Sequence, residues 1–215
     1  EAERQKIAAL MRRFDAISVR ESGGVTMCRD MYGVKAEQVL DPVFLPDRKL
    51  WDELADRSDK RQKGRYLLTY LLDPTEAKRA AVLHVAEKLG GIRVINVLDG
   101  LPWLFKKNRE LLNLPDCPEN VQVEDWLCFI RDAEMVMTDS CHGLSFALIF
   151  QRNFVAFVNR RRGYSRFASL AGMLGFEDRL VLDPQRVLED PSLLAKPDHR
   201  RPDACLHTLT DVACQ

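Results

Sequence analysis

Thr138-Asp139-Ser140-Cys141-His142-Gly143 lies inside the run MVMTDSCHGLSFALIF, Met135–Phe150, between a short apolar stretch and a longer one. A strand that ends in small hydroxyl residues and turns into a helix leaves backbone N–H groups pointing outward. With the positive end of the helix dipole, they favour a phosphate or a carboxylate. Ser140 and Gly143 belong to that first turn. His142 can add a charged donor there, or move a proton near neutral pH. The same residues also suit a purely structural role, with Asp139 or Ser140 capping the helix and His142 packed on a neighbouring loop.

Two basic elements accompany this turn. Arg160-Arg161-Arg162-Gly163-Tyr164-Ser165-Arg166 places four arginines in seven residues just after the next expected strand. Arginine suits bidentate capture of phosphate or carboxylate, although a solvated basic loop is the plainer reading of the run taken alone. Arg20, in SVRESGG, stands at a strand end before a Gly-containing turn, where a surface salt bridge with Glu21 or an upstream residue would also account for it. His84 reads as a helix-boundary residue, and His199 and His207 carry no pattern. Asp73 and Asp99-Gly100 at strand ends could contact a sugar hydroxyl, but turn chemistry explains them as well. No GxGxxG or GxxxxGK assembles, which argues against nicotinamide and P-loop chemistry.

The elements that position these residues follow from periodicity. Residues 1–14 show a helical stripe of Ile7, Leu10, Met11 and Phe14. Ala16–Arg20 reads as a short strand and Glu21 to about Tyr32 as a helix. Val39–Leu45 reads as a second extended piece broken by Pro42, and charged Ala55–Gly64 as a linker. Arg65–Leu72 is a continuous apolar run, expected of a strand covered on both faces. A helix is expected from Pro74 to Gly90-Gly91, and then a strand at Ile92–Leu98. An irregular section around Trp103 follows. Further elements are a helix at Val123–Asp132, a strand at Met135–Thr138, a helix at His142–Phe150, a strand at Phe154–Val158, a helix at Tyr164–Leu174 and a strand at Arg179–Leu182. Such alternation predicts an α/β, Rossmann-like domain with a mainly parallel sheet over about 62–190. Residues 190–203 read as a surface tail. Ligands of such sheets sit at the C-terminal strand ends, where both the His142 turn and the Arg160–Arg162 run fall.

Bulk composition narrows the classes. Lys+Arg and Asp+Glu both total 32 in 215 residues, so no basic surplus points to nucleic acid or an acidic membrane. Six scattered cysteines without finger spacing suggest a reduced, cytoplasmic protein without a structural metal. No stretch reaches the ~18–20 apolar residues that span a bilayer. The chain opens on Glu1 in mid-helix style, from which an upstream part is expected.

Taken together, AISVRESGG, VLDPVFL, Trp51, RYLLTYLL, TDSCHGLSFALIFQRNFVAFV and RRRGYSRFASLAGMLG resemble, in order and spacing, the polysaccharide pyruvyl transferase family. The resemblance runs from about Phe14 to Leu182. It implies two Rossmann-like domains facing a cleft, similar to GT-B glycosyltransferases. Residues 1–58 would then be the end of the N-terminal domain and a linker, 59–190 the C-terminal domain, and 191–215 a tail with a short helix. The implied activity moves the pyruvyl group of phosphoenolpyruvate, a co-substrate rather than a cofactor, onto a sugar of a surface polysaccharide, an exopolysaccharide or capsule, or a lipid-linked precursor. The protein would work in the cytoplasm or peripherally at the inner membrane face. By position, Arg20 and His142 match the family's phosphoenolpyruvate-binding Arg and His, and Arg160, Arg161 and Arg162 compete for a third basic role. Cys141 departs from the aromatic or Arg found in relatives. Cationic side chains can neutralise this donor without a metal. Two alternatives fit the same turn: a GT-B glycosyltransferase holding a sugar-nucleotide diphosphate, with Glu177 at the ribose, and a non-catalytic anion- or sugar-binding domain.

Overall fold

A computed structural model describes residues 1–98, 100–158 and 163–199. In chain order it contains α1 (Ala2–Met11), β1 (Ser18–Val19), α2 (Ser22–Tyr32), β2 (Glu37–Gln38), α3 (Arg48–Ala55), β3 (Tyr66–Tyr70), α4 (Glu76–Lys88), β4 (Arg93–Val97) and α5 (Pro102–Leu112). There follow α6 (Val123–Asp132), β5 (Met135–Thr138), α7 (Cys141–Ile149), β6 (Asn153–Phe157), α8 (Tyr164–Leu174), β7 (Leu180–Val181) and α9 (Arg186–Glu189). The chain divides into two units. Among the described residues, one holds Glu1–Leu45 and 163–177, and the other holds 46–158 and Asp178–His199.

The larger unit is built on five parallel strands in the order β4-β3-β5-β6-β7. Side chains alternate across a strand, and here both faces are covered. Leu67, Val94, Met135, Met137, Val155 and Phe157 pack with Ala81, Val82 and Val85 of α4, Leu112 of α5 and Val187 of α9. Their neighbours Tyr66, Leu68, Val136 and Phe154 point the other way and are equally buried. The Tyr66 hydroxyl donates to the Phe129 carbonyl of α6 at 2.9 Å, which places α6 on this second face. This is the Rossmann-like α/β arrangement that the continuous apolar runs predict.

Charge holds α3 on α6. The Arg131 guanidinium, nearly buried, donates to the Asp52 carbonyl at 3.0 Å and pairs with Asp56 at 2.8 Å and Asp132 at 2.9 Å. The charged 55–64 stretch is pinned to the same helix. Ser58 donates to Asp125 at 2.7 Å, Lys60 pairs with Asp125 at 3.0 Å, and Arg61 pairs with Asp132 at 2.9 Å. These ties attach the stretch expected as a linker to the larger unit. The first segment of the smaller unit ends at Leu45, and α3 belongs with the larger unit.

In the smaller unit, β1 and β2 pair in parallel, Ser18 with Glu37 and Val19 with Gln38. The extended piece expected at Val39–Leu45 is a 3-10 turn at Pro42–Phe44, with Asp41 capping it by accepting from Val43 N at 3.2 Å. Pro42 lacks the N–H a ladder needs, so pairing stops before it. The section around Trp103 is helical, as α5. Pro102 sits at its first turn, Leu112 is buried on its inner side and Trp103 is exposed, which interrupts the apolar stripe that would have announced the helix. Residues 191–199 are not a free surface tail. Leu193 is buried, Arg179 donates to the carbonyls of Leu193 at 2.9 Å and Ala195 at 2.7 Å, and Asn153 donates to that of Leu194 at 2.8 Å.

Candidate functional site

The turn from β5 into α7 owes its shape to short polar side chains. Thr138 Oγ1 donates to the Tyr70 carbonyl across the sheet at 2.7 Å and accepts from Ser140 N at 3.0 Å. Ser140 is the helix cap, its Oγ accepting from Gly143 N at 3.3 Å. Gly143 packs directly on Thr138. A Cβ built there would meet Thr138 Cβ at 3.1 Å and Cγ2 at 3.2 Å, and Oγ1 closer still, so no larger residue fits without movement. The sequence left Asp139 and Ser140 open as caps; the structure separates their duties.

Asp139 reaches sideways instead. Its carboxylate accepts from Leu72 N at 2.6 Å and Asp73 N at 3.0 Å and pairs with Lys78 Nζ at 2.7 Å. Lys78 Nζ also donates to the Asp73 carbonyl at 2.6 Å. Both side chains are shielded, 1% exposed for Asp139 and 10% for Lys78. The pair therefore ties the loop after β3 to the turn before α7. Lys78 carried no signal in the sequence, because on α4 it reads as an ordinary solvent-facing helix lysine.

His142 is exposed at the second position of α7 and lines a cavity of ≈ 450 Å³ at the C-terminal ends of β3 and β4. Tyr70, Leu72, Val97, Leu98, Val121, Trp126 and Phe146 supply most of the wall, with Ser140 and Gln122 also on the lining. His142 and Phe146 are four residues apart, hence on one helical face. Ring contacts brace the wall: Tyr70–Trp126 at 5.4 Å, Trp126–Phe146 at 5.2 Å and Trp51–Phe146 at 4.9 Å, all edge-on. Tyr70, Trp126 and Phe146 escaped the sequence reading because each sits in an apolar run that reads as core.

Gln122 and Asp125 close a capping box at the start of α6, with Gln122 N donating to Asp125 at 3.0 Å. Burial works against the Asp125 carboxylate, but hydrogen bonds from Gln122 N, Ser58 and Lys60 outweigh it and hold Asp125 below the usual carboxylate range. The cavity's α6 edge is thus anchored by a charged carboxylate. Among the described residues no cluster of three or more His, Cys, Asp or Glu could hold a metal.

Arg20 lies in the smaller unit, where it pairs with Asp41 rather than with Glu21. That ion pair joins the two sequence elements SVRESGG and VLDPVFL. Glu21 accepts instead from Ser165 and pairs with Arg166 at 3.4 Å. Arg160, Arg161 and Arg162 lie outside the described residues, as do Asp99 and His207. Glu177 is exposed at the start of a 3-10 turn, Glu177–Arg179.

Residues 1–161 match the sequence profile described as Polysaccharide pyruvyl transferase. The chain belongs to this family. A comparison with curated protein sequences returns no match. Similar solved structures include UDP-GlcNAc 2-epimerase from Neisseria meningitidis bound to UDP-GlcNAc, at TM-score 0.53 and 11% identity over 84% of this chain and 53% of that one. The UDP-GlcNAc 2-epimerase of Methanocaldococcus jannaschii gives 0.53 and 13%, over 85% and 57%. A glycosyltransferase from Rickettsia africae ESF-5 gives 0.54 and 9%, over 98% and 62%. These likenesses show the fold, a Rossmann-like half of the GT-B kind. This pyruvyl transferase family member spans about half the length of the first of these structures. Among its described residues no helix is long and apolar enough to cross a membrane.

Proposed function

We propose that the protein transfers the pyruvyl group of phosphoenolpyruvate to a sugar hydroxyl of a polysaccharide or its precursor. The observation that carries this reading is His142, exposed on the first turn of a capped helix and opening on a cavity, in a chain of the pyruvyl transferase family. A phosphate at a helix N-terminus meets aligned N–H dipoles, and a histidine beside it adds a hydrogen bond and a proton.

The chemistry asks for little more. The methylene carbon of phosphoenolpyruvate takes a proton while a sugar oxygen bonds to C2 and loses its own. A second hydroxyl then bonds to C2 and gives up its proton to the departing phosphate as the C2–O bond to phosphate breaks, the phosphate leaving with the electron pair and a ketal remaining. His142 is proposed to hold the phosphate or deliver the first proton. Arg20 and the Arg160–Arg162 run are proposed to neutralise the donor's anionic groups, and Ser140 and Gly143 to supply the turn that receives them. The protein itself needs no bound cofactor for this sequence of steps.

The test pairs ligand-induced thermal shift with phosphate release. Phosphoenolpyruvate is expected to raise Tm while UDP-, GDP- and CMP-sugars do not. His142→Ala is expected to abolish that shift and to cost about 2–4 kcal/mol in transition-state binding, roughly 30- to 1,000-fold in turnover. A shift with a nucleotide sugar alone would replace this reading with glycosyl transfer. Normal transfer by the variant would remove His142 from the mechanism.

A further inference from the structure

The walls of the cavity beyond His142 suit something other than the donor, whose anionic groups are proposed to meet His142 and the α7 turn at the cavity's edge. Phosphoenolpyruvate carries a phosphate and a carboxylate, and burying either against apolar walls without a cation is costly. Among the described lining residues none is Asp, Glu, Lys or Arg, and His142, at the edge beside the α7 turn, is the one that can carry a positive charge. The wall is instead Leu72, Val97, Leu98 and Val121 with the rings of Tyr70, Trp126 and Phe146. We infer that this cavity is the acceptor subsite, taking an uncharged sugar ring whose C–H face lies on the aromatic wall; the inference rests on the pyruvyl-transfer reading.

Three features support that occupant. A pyranose is amphipathic, with an apolar face and a rim of hydroxyls, and the cavity matches it, having an aromatic wall with Ser140, His142 and Gln122 on its lining. The rings are braced before any ligand arrives. Trp126 lies edge-on to both Tyr70 and Phe146, and Trp51 lies edge-on to Phe146 as well, so little side-chain freedom is lost on binding. Finally, Phe146 and His142 stand one turn apart on α7. A ring seated against Phe146 therefore presents its hydroxyls next to the imidazole. Trp126 and Tyr70 become specificity residues of the acceptor, distinct from the groups proposed for the donor.

Tryptophan fluorescence of the full chain, titrated with methyl glycosides of glucose, galactose, mannose and N-acetylmannosamine, tests this directly. At least one glycoside is expected to change the emission, and Trp126→Phe to remove most of that response. Val121→Phe, which fills the cavity from a partly exposed loop, is expected to weaken glycoside binding at least tenfold. Phosphoenolpyruvate affinity, followed by calorimetry, should stay within twofold. Val123→Phe at the exposed rim provides the same reading if Val121→Phe does not fold. Four results would overturn the inference: no glycoside binding to the wild type, unchanged glycoside binding in the filled variants, parallel loss of phosphoenolpyruvate binding, or a response to uridine and guanosine in place of glycosides. Glycoside binding without any phosphoenolpyruvate binding would uphold the sugar site while removing the donor assignment, so the two failures are told apart.

Discussion

Replacing Asp139 by Asn keeps the shape of the side chain and removes its charge, which isolates what the buried pair contributes. In the wild type the carboxylate satisfies three donors, Leu72 N, Asp73 N and Lys78 Nζ. The Asn carbonyl can serve at most part of that set, and its amide group turns a donor toward donors. Lys78, 10% exposed, keeps the Asp73 carbonyl as a hydrogen-bond acceptor but loses the carboxylate that neutralises it. Stranding one partner of a buried ion pair costs about 3–5 kcal/mol. Lys78→Met is expected to cost less, about 1–3 kcal/mol, since two backbone N–H groups still satisfy Asp139. The double variant should fall short of the sum, because each single change already removes the same pairing. Urea unfolding at pH 7 followed by tryptophan emission reads this out, since Trp51, Trp103 and Trp126 all lie in the larger unit. An Asp139→Asn variant within 1 kcal/mol of wild type at unchanged m-value, or strict additivity of the double variant, would refute the account of this pair as the brace of the His142 turn.

Gly143→Ala forces a Cβ onto Thr138, and overpacking of this kind costs about 1–3 kcal/mol; thermal unfolding should show a lower Tm, and an unchanged Tm would refute this close packing. Arg20→Ala breaks an ion pair whose arginine is 44% exposed, so stability should change by no more than about 1 kcal/mol in denaturant titrations. A tenfold fall in phosphoenolpyruvate affinity in that variant would mark a binding role. Asp125 is held below its ordinary value, so the stability it contributes is present above about pH 4, the unfolded carboxylate's pKa, and is lost as pH falls through the lower folded value. Asp125→Asn should flatten that acid limb of the stability curve, measured as urea midpoint against pH; an unchanged limb would show that other carboxylates set it.

Much of the architecture was legible in the chain because it is encoded by nearest neighbours. The strand runs, the helices at 123–132 and 164–174, and a capped helix start at Asp139 or Ser140 depend on periodicity and local hydrogen bonding. Two elements lack a clean local cue: exposed Trp103 interrupts the apolar stripe of α5, and Pro42 confines the second short strand of the smaller unit to Glu37–Gln38.

Local sequence settles the turn at Thr138–Gly143, its helix-start chemistry and the family to which that motif belongs. Tertiary structure alone decided what the motif's polar residues do. Asp139 and Lys78 are 61 positions apart, and Arg20 and Asp41 are 21 apart; nothing local announces either pair. Likewise Trp51, Tyr70, Trp126 and Phe146 come from α3, β3, α6 and α7 and converge only because α3 packs on α6 and α6 on α7 beside the end of β3. Charge pairing and ring packing act through space, so their partners are chosen by the fold and not by spacing along the chain.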